Sequence, residues 1–118
     1  MMPVGPATRI FLAAGATDLR VSCVGVSDLV RHRFQEDPLS GHLFVFSNQR
    51  RTRIKLLYWD GSGLWVCAKR LEQGRFRWPT TSTGETGALR ILAEELTLLL
   101  SGVDLTKTHQ RQWWRKTV

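Results

Sequence analysis

Three short apolar runs, separated by turn residues within Gly41–Pro79, most constrain the fold of this chain. The runs are Leu43–Ser47, Arg53–Trp59 and Leu64–Arg70. Runs of this length between turn residues are typical of β-strands. Asp60-Gly61 favours a tight hairpin because both residues tolerate a positive φ, although the following Ser62-Gly63 leaves a four-residue loop equally possible. The stretch therefore predicts an antiparallel meander.

Side-chain alternation in the second run predicts one packed and one solvated sheet face. Ile54, Leu56 and Tyr58 share the face that suits a core. The opposite face carries Arg53, Lys55, Leu57 and Trp59. A sheet that packs on helices with one face and meets water with the other has this pattern.

The third run and the residues after it predict the order of the sheet. Leu64–Arg70 is largely apolar on both faces, which favours a central strand. Gln73-Gly74 predicts a turn, and Arg75–Trp78 then alternates cations with rings, which indicates a possible fourth strand.

Two amphipathic helices flank the meander. Apolar residues at helical spacing predict one helix near 26–35 and a second near 92–101. Asp37-Pro38 ends the first, and Gly102 closes the second. The start of the first helix stays open, since the sequence offers four candidate N-cap residues: Thr17, Asp18, Ser27 and Asp28.

The remaining segments predict a single small α+β domain of about four to five strands packed with two main helices. Arg9–Ala13 is typical of a short strand, whereas Ala88–Ile91 fits either a helix or an edge strand. A loop is expected over 79–87, and residues 1–8 and 105–118 are expected to be flexible arms.

The basic charge of the chain is concentrated in the meander. Residues 41–80 hold eight Lys or Arg against two acids, a net +6 of the total +7. A small domain with a pI near 10.5 most often meets a polyanion, and nucleic acid is the usual one. A merely soluble cationic surface is the alternative.

Cysteine usage and hydropathy predict the compartment. Cys23 and Cys67 form no CxxC pair and lie among apolar neighbours, so we expect two buried thiols in a reducing environment. Ile10–Ala14 is too short for a signal sequence or a membrane span. We therefore expect a cytoplasmic protein.

No pattern of catalytic residues stands out, so we predict a protein that is not an enzyme and binds no cofactor or metal. The histidines are scattered without metal-ligand spacing. The acids that a metal-dependent nuclease could use are Asp18, Asp60, Glu72 and Asp104. Turns or element ends explain most of them, and a nuclease stays the weakest hypothesis.

Cations interleaved with rings make DNA binding the leading hypothesis. Such residues can neutralise phosphates and stack on bases. The expected DNA-binding residues are Arg50, Arg51, Arg53, Lys55, Lys69, Arg70, Arg75, Arg77 and Trp78. A solvated face is the alternative for the arginines, a core position is the alternative for Trp78, and Trp59 and Trp65 are expected in the core.

The end of the chain carries a second candidate surface. Trp113 and Trp114, followed by Arg115 and Lys116, could bind a protein partner, because exposed tryptophans mark binding sites. Docking on the core as a hydrophobic latch is the alternative.

Long motifs give the chain a family resemblance. The motifs are Ile-Phe-Leu-Ala-x-Gly-x-Thr-Asp-Leu-Arg, Gly-His-Leu-Phe-Val-Phe, Ile-Lys-x-Leu-Tyr-Trp-Asp-Gly-x-Gly-Leu-Trp, Lys-Arg-Leu-Glu-x-Gly-Arg-Phe-x-Trp-Pro and Glu-Leu-x-Leu-Leu-Leu-Ser-Gly-Val-Asp. Over about 9–104 the chain closely resembles the small second-reading-frame accessory protein (TnpB-type) of bacterial insertion sequences of the sixty-six type.

The resemblance implies an accessory protein of transposition that acts beside a separate, catalytic transposase. It carries over no active site. The leading hypothesis takes transposon-end DNA as the partner, and the second hypothesis takes that transposase. The matching motif residues are Asp18, Arg20, Lys55, Trp59, Asp60, Gly61, Lys69, Arg70, Gly74, Trp78 and Pro79.

Overall fold

The computed structural model describes residues 7–79 and 88–102, together with the backbone of 115–116. In these residues the strands are β1 (Ile10–Ala13), β2 (Leu43–Ser47), β3 (Arg53–Trp59), β4 (Leu64–Arg70), β5 (Ala88–Ile91) and β6 (Arg115–Lys116). The helices are α1 (Cys23–Leu29), which continues as a π-helical segment over Val30–Phe34, and α2 (Ala93–Leu100).

The described strands form one sheet in the order β4-β3-β2-β1-β5-β6. β2, β3 and β4 are antiparallel neighbours, which confirms the predicted meander. β1 pairs parallel with β2, with α1 in the connection between them, and antiparallel with β5. The α+β class with two main helices is confirmed, and the open assignment of Ala88–Ile91 is resolved as a strand.

Both faces of the sheet are covered by packed side chains, so the prediction of one wet face is wrong. Strand residues on one face of the sheet, such as Leu12 and Val45, pack with α2 and with the rings of Phe76 and Trp78. Strand residues on the other face, such as Phe44, pack with α1 and its π-helical continuation. On the face of β3 that was expected to meet water, Leu57 is therefore part of the core.

β4 is an edge strand, which corrects its predicted central position. Its apolar character on both faces arises because Val66 packs with the α1 side and Cys67 with the α2 side. Trp65 is 56% exposed, so the expected core position is wrong for this residue. Trp59 is partly buried.

Residues 75–78 form no strand, contrary to the prediction. The Phe76 N–H donates to the Arg51 carbonyl at 2.7 Å, and the Phe76 ring is 2% exposed. The alternation of cations and rings thus reflects a loop that inserts its rings into the core and leaves Arg75 and Arg77 outside.

The start of α1 lies at none of the four predicted caps. Ser22 is the N-cap, and its hydroxyl accepts a hydrogen bond from the Gly25 N–H at 3.3 Å. Cys23 is exposed and Cys67 is partly buried, which corrects the expectation of two buried thiols. α2 begins after Leu92, whose N–H donates to the Glu95 carboxylate at 2.7 Å.

Several predicted features lie outside the described residues, including the 80–87 loop and the Trp113-Trp114 pair. Arg115–Lys116, expected in a flexible arm, pairs with Leu89 and Arg90 as a two-residue strand. No helix in the described part of the chain has the length and apolar character needed to cross a bilayer.

Candidate nucleic-acid interface

A groove of about 820 Å³ lies on the α1 side of the sheet, between β3–β4 and the segment that leads into α1. Its floor includes Ile54 and Ala68, and its walls include residues 16–20 and 48–50. Six cationic residues and one acid line it: Arg20, Arg50, Arg53, Lys55, Lys69, Arg70 and Asp18. We call this feature the cationic groove.

Strand register places three of these cations on one patch of the sheet. Arg53 and Lys55 are two residues apart on β3, and Arg70 of β4 is the Cα partner of Arg53. All three share the side on which Leu57 and Val66 pack against α1. The sheet extends beyond this apolar cluster here, which leaves Arg53 and Arg70 exposed.

Lys55 is tied to the start of α1. Its Nζ donates to the Val21 carbonyl at 3.1 Å, one residue before the N-cap. Among the described residues, no carboxylate lies within ion-pair distance of Lys55, Arg50 or Arg53. Their charges are therefore available to an external anion.

The hairpin between β2 and β3 sends its two arginines in different directions. The Asn48 side chain organises this turn, because its oxygen accepts from the backbone N–H groups of Thr52 and Arg53, each at 3.0 Å. Arg51 has a left-handed backbone with φ of 59°. Arg50 consequently lines the groove, and Arg51 does not.

Arg51 contacts the core instead. Its guanidinium lies 5.1 Å from the centroid of the Trp78 ring and donates to the Ala14 carbonyl at 3.4 Å. Burial, with a smaller effect of the nearby Arg33 charge, lowers the pKa of Arg51. A cation in this position supports the fold, and the DNA contact by Arg51 stays a prediction.

Lys69 and Arg70 differ although they are neighbours. The Lys69 Nζ donates to the Leu100 carbonyl at 2.7 Å, at the end of α2 and so on the opposite side of the sheet. A cation at a helix C-terminus is favourable. Arg70 lies on the groove side with a long 3.5 Å ion pair to exposed Glu72. The groove therefore holds five available cations rather than six.

Asp18 is the one acid that lines the groove within the described residues, and it is bound to Arg20. Both Arg20 Nε and Nη2 donate to its carboxylate, at 3.0 and 2.9 Å. These hydrogen bonds lower the pKa of Asp18 to about 2. The pair is exposed, and Arg20 keeps further N–H groups for a ligand.

The other expected DNA-binding residues lie apart from the groove. Arg75 and Arg77 are exposed but do not line it. Trp78 is 8% exposed, and its indole N–H donates to the Ala13 carbonyl at 2.9 Å. The buried ring leaves little surface on which a base could stack, so the position of Trp78 favours its alternative role in the core.

Asp60 serves a turn rather than a metal. Its carboxylate accepts hydrogen bonds from the N–H groups of Ser62 and Gly63, at 2.8 and 2.9 Å, and from the Trp65 indole at 2.8 Å. These bonds hold the pKa of Asp60 well below its usual range. Gly61, with φ of 101°, supplies the positive φ that the turn needs.

No three His, Cys, Asp or Glu side chains in residues 7–79 and 88–102 come close enough to hold a metal ion. The described acids that the sequence offered to a nuclease are dispersed: Asp18 at the groove wall, Asp60 at a hairpin tip and Glu72 beyond the end of β4. Asp104 lies outside the described residues.

The density of cations over residues 50–70 predicts five of the six cationic residues that line the groove. The sixth, Arg20, stands out in the sequence only as part of the family motif. Arg20 lines the same groove as Arg50 and Arg53 only through the tertiary fold. The available sequence signal was the Asp18-x-Arg20 spacing, which allows a local ion pair.

The fold and the groove define a small basic α+β protein with a concave cationic surface. The chain belongs to the family described as IS66 Orf2 like protein, whose model matches residues 8–110. The protein is accordingly a transposition-associated accessory protein of an IS66-type element.

Two relatives from Sinorhizobium fredii (strain NBRC 101917 / NGR234) are similar over nearly their whole length. "Uncharacterized protein y4hO" is 37% identical over 117 residues, which covers 99% of this chain and 97% of the relative. "Uncharacterized protein y4jC" is 36% identical over 116 residues, which covers 97% of each. No solved structure matches the chain.

Proposed function

We propose that this protein is a non-catalytic accessory factor of transposition that binds DNA through the cationic groove. The observation that carries the proposal is the convergence of cations from four separate segments on one concave surface. The proposed phosphate contacts are Arg20, Arg50, Arg53, Lys55 and Arg70.

The charge balance of the groove supports a polyanionic ligand. Asp18 is its one described acid, and Arg20 already pairs with it. Five cations against one carboxylate leave a net charge that repels further cations and attracts phosphate. Each cation that engages a phosphate releases counterions, which makes binding favourable at low salt.

The acids support a non-catalytic role. Two-metal phosphoryl chemistry requires carboxylates that converge on ions about 4 Å apart. The Asp60 oxygens are occupied by turn donors, and the Asp18 carboxylate by Arg20. Within the described residues, neither carboxylate belongs to a group of three or more His, Cys, Asp or Glu side chains that could hold a metal ion.

Fluorescence anisotropy with a short labelled duplex tests the proposal. We expect Arg53→Gln/Arg70→Gln to weaken binding about tenfold or more, because each charge-assisted hydrogen bond contributes roughly 1.5–3 kcal/mol. The matched control is Arg31→Gln/Arg90→Gln, which removes two exposed cations that do not line the groove. No binding by the wild type, or equal losses in both variants, would refute the proposal.

A second candidate is a protein-interaction module that binds the partner transposase. Trp65 favours it: this ring is 56% exposed on the edge strand and its indole is fixed by Asp60. Rigid exposed tryptophans are frequent interface anchors. The candidate surface from the sequence adds Trp113, Trp114, Arg115 and Lys116.

Co-purification with the transposase separates the two candidates. The module hypothesis expects Trp65→Ser or Trp113→Ala/Trp114→Ala to abolish co-purification, while Arg53→Gln/Arg70→Gln leaves it intact. Retention of the transposase by both tryptophan variants would remove this hypothesis.

A further inference from the structure

The described lining of the cationic groove lacks the aromatic rings on which bases stack. None of the described residues that line it is aromatic. Sites that bind single strands through their bases use aromatic rings as stacking platforms. The apolar part of this lining includes the aliphatic side chains of Ala16, Leu19 and Ala68.

The aromatic residues of the meander are either buried or distant from the groove cations: Phe46, the Cα partner of Lys55, is 0% exposed. Trp59 and Leu64 are Cα partners at one end of the β3–β4 hairpin, whereas Arg53 and Arg70 are partners at the other end. Six strand residues separate the two ends, which corresponds to about 20 Å. A nucleotide held by Arg53 and Arg70 therefore has no ring within stacking distance on this hairpin.

One of the two amide side chains in the lining, that of Asn48, is held by its own turn, whereas Gln49 is exposed. Asn48 is engaged within its own turn: its oxygen accepts two backbone N–H groups, and its Nδ2 donates one hydrogen to Thr52 Oγ1 at 3.1 Å. Gln49 is the other amide in the lining. Bidentate readout of adenine requires an amide with both of its groups free.

The shape of the site also favours the backbone of DNA. Elements that read base edges are convex, because a helix or a β-ribbon must enter the major groove. This site is concave and receives its ligand. Arg53 and Lys55 are separated by two strand residues, about 7 Å, which is comparable with the step between successive phosphates of one strand.

We infer that the cationic groove holds the sugar–phosphate backbone of one DNA strand, with the bases turned outward, and does not read base sequence. This inference rests on the proposed DNA binding and specifies what the groove recognises. Selection of a particular transposon end must then come from another protein, such as the transposase.

Two comparisons with the full-length chain test the inference. The first uses two duplexes of equal length and composition, one with a transposon-end sequence and one shuffled. The second uses a single-stranded oligonucleotide and an abasic sugar–phosphate oligomer of equal length. Base stacking contributes about 1–3 kcal/mol per base, so a base-reading site would lose roughly fivefold or more per base removed.

We expect the two affinities in each comparison to be equal within about threefold. We also expect Arg53→Gln/Arg70→Gln to lose every complex, whereas Arg31→Gln/Arg90→Gln keeps them. A tenfold preference for the transposon end, or for the base-bearing strand over the abasic oligomer, would overturn the inference while DNA binding itself stands. Binding of duplex without binding of single strand would contradict the one-strand geometry. Absence of all binding would instead refute the proposed function.

Discussion

At the scale of single residues, substitution of Trp78 tests whether this ring supports the fold or contacts nucleic acid. Its indole N–H bonds the Ala13 carbonyl at 2.9 Å in the core, and Arg51 lies over its ring. We expect Trp78→Phe to lower the free energy of unfolding by about 1–3 kcal/mol, since a buried carbonyl loses its donor. Urea unfolding measures this loss, and DNA affinity should stay unchanged.

The control for Trp78 is Trp65→Phe, which alters a ring that is 56% exposed. This substitution also removes an indole N–H, but the Asp60 carboxylate that loses it remains in water and keeps its backbone donors. A large stability loss in the control and none in Trp78→Phe would contradict the assignment of Trp78 to the core.

His42 gives the fold a dependence on pH. Its Nδ1 accepts the Arg9 N–H at 2.9 Å, which requires a neutral ring, and burial, helped by the Arg9 charge, lowers its pKa. The unfolded chain protonates this residue near pH 6.5, so below that pH the unfolded state binds more protons than the folded state. Stability therefore falls as the pH drops from about 6.5 through the lowered pKa.

Urea midpoints at pH 7.5 and pH 5.5 measure this dependence. We expect the midpoint to be lower at pH 5.5 in the wild type, and the difference to shrink in His42→Gln, which cannot take up a proton. An unchanged difference in His42→Gln would show that another group causes the pH dependence.

At the scale of elements, α1 depends on a close contact at Gly25. A Cβ at this position would lie 2.9 Å from the Val21 Cβ, closer than such atoms pack. Helix propensity alone predicts that Gly25→Ala stabilises an exposed helix by about 1 kcal/mol. We expect the opposite sign here, a loss of about 1–3 kcal/mol from overpacking.

Thermal or urea unfolding decides the sign for Gly25→Ala. Gly63→Ala is the matched control, because a Cβ there meets no heavy atom within 4 Å and its φ is not positive. Stabilisation by Gly25→Ala would show that Val21 moves away without cost. The Val21 carbonyl also accepts from Lys55, so such movement would disturb the groove.

The elements that the sequence predicted correctly are those with a local signal. β2, β3 and β4 match the predicted bounds because each combines β-branched or aromatic residues with a turn on both sides. The sequence does not predict the edge position of β4, because apolar residues on both faces of a strand can be half-buried without a strand neighbour on each side. The pairing of β5 with β1 joins residues about 80 apart, and no local pattern encodes it.

At the scale of the whole molecule, the density of cations in the sequence predicted where the groove lies, but it did not predict what each cation contacts. Arg53, Lys55 and Arg70 converge because strand register aligns them, which alternation anticipates. Arg51 departs from Arg50 because of one left-handed residue, and Lys69 departs from Arg70 because β-strands alternate. Such divergence between neighbours depends on backbone conformation and on what each side of the sheet packs against.

The net charge of the groove sets the last prediction, the salt dependence of DNA binding. The logarithm of the binding constant should fall linearly with the logarithm of salt concentration, by about 0.9 per phosphate contacted on a duplex. Five groove cations therefore give a negative slope whose magnitude is at most about 4.5. Arg53→Gln/Arg70→Gln should reduce the magnitude of this slope by about 2, and Arg31→Gln/Arg90→Gln should leave it unchanged.

Anisotropy titrations at several salt concentrations measure these slopes. The slope distinguishes binding at the cationic groove from general electrostatic attraction. A cationic surface without a defined site would show the same reduction in slope in both double variants. Five cations from the β2–β3 hairpin, the sheet and the α1 approach surround one volume of about 820 Å³. Equal slopes for all three proteins would mean that phosphates contact cations outside the groove.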